Sequence, residues 1–167
     1  ASPTFTQIDV LQSPNNNFSV RDISIDPLDP NIMVANLVAS GGGIYRSTNA
    51  LAATPTFTNV LTFTGGTSDV TAEFAVHHTA GPDATFYAAT GFGGGRVYIS
   101  VNGGATWTQH IDNNFCTGQC FYDIAIAVDP TNANTVYLGG SPTIISAKST
   151  NAAVSFTDNN AGVHVDT

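Results

Sequence analysis

Asp22 and Glu73 stand at matching places in successive segments of the chain, each three residues before an aliphatic residue, Ile25 and Val76. Two carboxylates held close together could act as general acid and base or hold a cation. Solvated acids partnered by the neighbouring Arg21 are the simpler account, and the third segment carries Ala125 at that place. His77 and His78 are adjacent. On a strand, neighbouring side chains point to opposite faces, so the two cannot share one metal ion, and a turn-exposed pair is expected. His110 and His164 are isolated, with no Cys or carboxylate at ligand spacing and no Asp-x-Asp-x-Asp-Gly run for calcium. Gly41-Gly42-Gly43 and Gly93-Gly94-Gly95 neither open a helix nor end in Gly-Lys-Ser/Thr, so they read as tight turns rather than phosphate loops. No catalytic set, metal site or cofactor site is expected; Arg21, Asp22 and Glu73 remain as candidate binding residues.

Cys116 and Cys120 lie four positions apart in a polar loop. A zinc site would need two further ligands, and thiol redox sites use Cys-x-x-Cys, so a local disulfide is the expectation. That favours an oxidising compartment, and with it a secreted, extracellular protein. The sequon Asn17-Phe18-Ser19 is too common by chance to add to this.

Charged residues make up only 10% of the 167 positions against 42% hydrophobic, so Ser, Thr, Asn and Gly must carry solubility. Twelve acidic residues against four basic ones give a net charge of −8, which excludes nucleic acid as an expected partner. No apolar run approaches the roughly 18 residues of a membrane helix, and Ala1-Ser2-Pro3-Thr4 lacks a signal pattern.

The elements that must position these residues are short strands, because Gly, Pro, Asn and Thr interrupt the chain throughout and helical spacing is absent. Three repeats, at approximately 18–60, 70–110 and 121–158, follow one order: strand, turn, strand, Gly-rich turn, strand, polar turn, aromatic strand. Ser47, Ser100 and Ser149 mark them at spacings of 53 and 49, close to the roughly 40–50 residues of a four-stranded propeller blade. Asp26-Pro27 and Asp129-Pro130 end the first strands of their repeats, since proline cannot donate to a ladder and Asp caps a turn. Pro3-Thr4-Phe5-Thr6-Gln7-Ile8 and Gly162-Val163-His164-Val165-Asp166 read as partial strands of further repeats.

At the turn before each aromatic strand, Ser100-Val101-Asn102-Gly103-Gly104-Ala105-Thr106-Trp107 matches Ser-x-Asp-x-Gly-x-x-Trp with Asn in the Asp place. Ser149, Asn151 and Phe156 form a weaker copy with Ala for Gly, and Ser47, Asn49 and Phe57 a third copy carrying an insertion. On these turns the chain resembles the Asp-box (bacterial neuraminidase repeat) β-propellers, which include sialidase-like, xyloglucanase-like and sortilin-like proteins. The resemblance implies an all-β propeller of four-stranded antiparallel blades. About three blades are present as an incomplete ring, because known propellers close with about four to eight. Ser47, Asn49, Phe57, Ser100, Asn102, Gly104, Trp107, Ser149, Asn151 and Phe156 then have structural roles in their turns.

A sialidase-like site needs three convergent arginines, and Arg21, Arg46 and Arg96 occupy non-equivalent strand positions. In xyloglucan-cleaving relatives a catalytic Asp precedes the Gly-Gly-x-Tyr-Arg stretch; here Ser40 stands before Gly42-Gly43-Ile44-Tyr45-Arg46, and a hydroxyl cannot do that acid–base work. Tyr45 and Tyr98 could stack sugars, though burial between blades is the better expectation. The leading expectation is a non-catalytic structural or binding module of an extracellular protein with a glycan or protein ligand. The alternatives are a fragment of a secreted glycoside hydrolase, and a self-assembling surface or filament subunit whose open strand edges pair with another chain.

Overall fold

The computed structural model describes residues 3, 4, 6, 8, 10, 19–38, 42–63, 70–112, 114–116, 118–140 and 146–159. Ser40, Asn17, Phe18, His164 and much of both expected flanking strands lie outside these residues. Among the described residues, twelve strands form three antiparallel four-stranded sheets, each in plain chain order. The first comprises β1 (Ser19–Ile25), β2 (Met33–Val38), β3 (Gly43–Ser47) and β4 (Thr58–Thr62). The second comprises β5 (Ala72–His77), β6 (Thr85–Thr90), β7 (Arg96–Ser100) and β8 (Thr108–Asp112). The third comprises β9 (Ile124–Asp129), β10 (Asn132–Gly140), β11 (Ala147–Ser149) and β12 (Thr157–Asp158). One 3-10 turn, Phe92–Gly94, precedes β7.

Each sheet is a blade. Their first strands pack side by side, β1 on β5 and β5 on β9, so these are the inner strands. The core is divided into the two seams between blades. Val34, Ile44, Val70, Phe86, Ala88 and Tyr98 fill the first seam. Tyr87, Val97, Phe115, Val136 and Leu138 fill the second. Each large side chain buried this way contributes about 1.5–3 kcal/mol, so the seams are the main stabilising feature. Tyr98 is buried in the first seam, as expected, while Tyr45 is buried on the face of the first blade turned away from the second.

A polar bond set stitches the first seam. Asn36, fully buried on β2, donates through Nδ2 to the carbonyls of Val70 (3.0 Å) and Gly43 (3.3 Å), and its Oδ1 accepts from the Ala72 amide (3.0 Å). Every bond a side-chain amide must make on burial is met, two of the three across the seam.

The three Ser-x-Asn turns share one bonding scheme. Ser100 Oγ donates to Asn102 Oδ1 (2.9 Å) and accepts from the Gly104 amide (3.0 Å), while Asn102 Oδ1 accepts from the Thr106 amide (3.0 Å). Ser149 and Asn151 repeat it at 2.8, 3.0 and 3.0 Å with the amides of Ala153 and Ser155. In the first blade, the insertion moves the corresponding amide to Thr56, 2.9 Å from Asn49 Oδ1. Gly104 has φ +81, and a Cβ there would lie 2.7 Å from Val34 Cγ1. The turn therefore needs glycine both for its backbone and for its fit against the preceding blade. Trp107 packs on the first seam and Phe156 on the second; Phe57 is half-buried.

Candidate functional site

An antiparallel blade puts its first and third turns at one end and its second turn, with the interblade loops, at the other. The Asp-Pro and Ser-x-Asn turns share the lower end, where the Ala50, Gly103 and Ala152 amides donate to the Asn31, Ala84 and Asn134 carbonyls (3.0 Å each). The upper end gathers the starts of β1, β5 and β9 and the loop that enters β9.

Arg21, Asp22 and Glu73 meet at this upper mouth. Arg21 Nη2 donates to the Phe121 carbonyl (3.0 Å), spanning from the first blade to the loop entering the third. Asp22 is engaged by the main chain: Oδ1 accepts from the Ile23 amide and Oδ2 from the Phe74 amide, both at 2.8 Å. It ties β1 to β5. Glu73 is half-buried; burial pushes its carboxyl up, the Asp22 charge adds to that, and Arg21 partly offsets it.

Sequence reasoning missed the aromatic part of this mouth. Phe121 and Tyr122 are 52% and 50% exposed, edge to face with centroids 4.4 Å apart. Gln119 Nε2 donates to Tyr122 Oη (2.7 Å). Their loop is held by the Cys116–Cys120 disulfide and by the Gln119, Tyr122 and Asp123 amides, which donate to the carbonyls of Cys116, Gln119 and Gln119. Phe115 anchors it below: a Cβ on Gly95 or Gly140 would lie 2.7 or 2.6 Å from the ring. Asp123 Oδ2, next along the chain, is buried without a hydrogen-bond partner among the described residues. The signal available in the sequence was position: Phe121-Tyr122 follows the cysteine loop and starts the third repeat.

The other candidates are dispersed. Arg46 Nε donates to the Gly103 carbonyl (2.6 Å) at the lower end of the first seam, and Arg96 lies over the Phe92 ring at 4.5 Å, so the three arginines do not converge. His110 Nδ1 lies 2.9 Å from the Ala152 carbonyl. His77 and His78 point to opposite seams. His77 Nδ1 lies 3.1 Å from the Asp129 carbonyl of the third blade. His78 departs from the turn-exposed pair expected: it is buried, with Nδ1 2.6 Å from Asp26 Oδ1 of the first blade and Nε2 3.1 Å from the Gly81 carbonyl. Its burial follows from the neighbouring blade, which closes over the end of β5.

No protein-family model and no curated protein matches the sequence. Among solved structures, the chain is similar to the GH74 enzyme of Niastella koreensis, with 22% identity and a TM-score of 0.62 over 85% of this chain and 22% of that one. It is similar also to the GH74 xyloglucanase of Xanthomonas campestris, with 20% identity and a TM-score of 0.62 over 83% of this chain and 20% of that one. The chain thus spans about a fifth of the length of these β-propeller enzymes. At such identity the likeness is one of fold. With the three four-stranded sheets and their side-by-side inner strands, it identifies the chain as an all-β propeller segment of three blades in an incomplete ring.

Proposed function

We propose that the chain is a glycan-binding, non-catalytic segment of an extracellular Asp-box propeller, with its ligand at the upper mouth. The observation that carries this is the exposed Phe121–Tyr122 pair beside Arg21, on the inner-strand end that also bears Glu73. Aromatic faces take the apolar side of a sugar ring, while a guanidinium and a carboxyl take its hydroxyls. Hydrolysis would need two free carboxyls flanking the scissile bond, and Asp22 already accepts two main-chain amides. The disulfide supports an oxidising, extracellular setting.

The test is a calorimetric titration with neutral β-linked oligosaccharides, xyloglucan fragments included, alongside a reducing-end assay. Saturable binding without new reducing ends is expected, weakened about tenfold, or about 1.4 kcal/mol, by Phe121→Ala or Tyr122→Ala. The likeness to glycoside hydrolases supports a second reading, a piece of a hydrolase whose acids lie on other blades. Cleavage by this chain that Glu73→Gln abolishes would replace the binding account with a catalytic one.

A further inference from the structure

Arg46 departs from the way the seams are otherwise filled. On the second blade the matching place, one residue before the turn serine, holds Ile99, which is 7% exposed and packs in the second seam. On the first blade it holds an arginine, half-buried between two blades that both belong to this chain. The Nε bond to the Gly103 carbonyl fixes the guanidinium against the second blade's Ser-x-Asn turn (2.6 Å), and a Cβ on Gly103 would lie 3.5 Å from Nη2. Neither Nη has a hydrogen-bond or ion-pair partner among the described residues. Asp83, exposed, brings Oδ1 within 3.7 Å of the same Cβ position but forms no ion pair with Arg46. The Nη edge of a half-buried guanidinium is thus left without the acceptor that such a group takes.

Arg46 lines a pocket of about 230 Å³ at the lower, outer rim of the first seam. Thr48, Thr56, Thr58 and Val60 form its first-blade wall, and Ala105 of the second blade's turn faces them. Thr58 is the ladder partner of Arg46, so the two share the seam face. Thr56 spends its hydroxyl on Asn49 Oδ1 (3.1 Å). The hydroxyls of Thr48 and Thr58, both exposed, have no partner among the described residues. The volume is more than a bare oxyanion fills, yet below the roughly 300–1,000 Å³ of pockets for larger ligands, so it suits one sugar ring rather than a chain.

We propose that this pocket binds a single carboxylate-bearing sugar unit, a uronate, with its carboxylate on the Nη edge of Arg46 and its ring hydroxyls on Thr48 and Thr58. The planar fork of a guanidinium matches the two oxygens of a carboxylate, and Val60 and Ala105 give the ring an apolar wall. A net charge of −8 gives the chain no general attraction for anions, so the affinity rests on Arg46 and is weakened by salt. The site lies at the opposite end from the mouth and stands without that reading.

Two-dimensional NMR of the backbone amides during titration with sodium glucuronate, at constant ionic strength, tests this. Saturable shifts centred on Thr48, Thr58 and Ala105 are expected, with a Kd of about 1 mM. Glucose should give none, and sodium sulfate should bind about tenfold more weakly. Arg46→Gln should weaken glucuronate binding about tenfold, through loss of the charge-assisted pair. Thr58→Val keeps the β-branched shape of the strand and should weaken it about threefold, with the amide spectrum away from the pocket unchanged as the sign of an intact fold. Shifts that vanish in Phe121→Ala would assign the sugar to the mouth and overturn the proposal. The absence of saturable shifts, equal binding of glucose or sulfate, or binding unmoved by both Arg46→Gln and Thr58→Val overturns it as well.

Discussion

At the scale of single residues, the most consequential side chain is one that neither binds nor catalyses. Both ring nitrogens of His78 face acceptors, Asp26 Oδ1 and the Gly81 carbonyl. Protons on both satisfy both acceptors, so the site favours the imidazolium form. The hydrogen bond to Asp26 holds His78 above its ordinary value of 6.5, against the opposing effect of burial. Burial alone would raise Asp26, but the bonds from His78 and from the Leu28 and Asp29 amides hold it below 3.8. A raised histidine contributes stability that is full below its unfolded pKa and is lost as pH rises through its folded one. A lowered carboxyl contributes stability present above its unfolded pKa and lost as pH falls through its folded one. The seam is thus strongest between these limits, in mildly acid solution. Thermal unfolding should hold steady up to about pH 6.5 and move to lower temperature as pH rises beyond it, through the raised value of His78. His78→Gln should cost about 2 kcal/mol at the acid end and flatten the profile. A profile as steep in the variant as in the parent would refute the link.

At the scale of elements, the Ser-x-Asn turns show how far a bonding scheme can absorb departures in sequence. Ala152 and Ala153 take φ 58 and 63, the region occupied by Gly103 and Gly104 at 64 and 81. Alanine there costs about 1–2 kcal/mol, and the Ser149 and Asn151 bonds hold the turn in spite of it. Ala152→Gly should therefore raise stability by about 0.5 kcal/mol, the relief exceeding glycine's unfolded-state entropy. Gly104→Ala should lower it by about 2 kcal/mol, because the new methyl has no room beside Val34. Chemical denaturation of both variants checks the opposite signs. The scheme was legible in the sequence, since Ser and Asn recur two apart in all three turns and a small residue and an aromatic follow at the same offsets in the second and third. The seam contacts that make Gly104 stricter than Ala152 were not.

At the scale of the molecule, stability resides between blades, and Asn36 is the most exposed to test. Asn36→Ala leaves the Val70 carbonyl and the Ala72 amide buried without partners, for about 1–3 kcal/mol. Equilibrium unfolding should show that loss with an unchanged slope on denaturant, as expected when only stability changes. A lower slope would mean instead that the first blade separates from the other two on its own. The mouth depends on the same packing. Arg21 belongs to the first blade and Phe121 to the loop entering the third, so their contact exists only while both seams are closed.

What the sequence by itself determined is what repeats along it. The blade period, the strand-ending Asp-Pro pairs, the serine-asparagine turns and the local Cys116–Cys120 bridge are set by contacts within a few residues, and local pattern records them. The alternation of side chains on a strand likewise sent His77 and His78 to opposite faces. Only the tertiary structure decided what each face meets. The reach of Arg21 across 100 positions to Phe121, the bond from the Phe74 amide to Asp22 and the burial of His78 against Asp26 all join separate blades. Such contacts depend on the angle at which one sheet leans on the next, and no spacing within a single repeat encodes it.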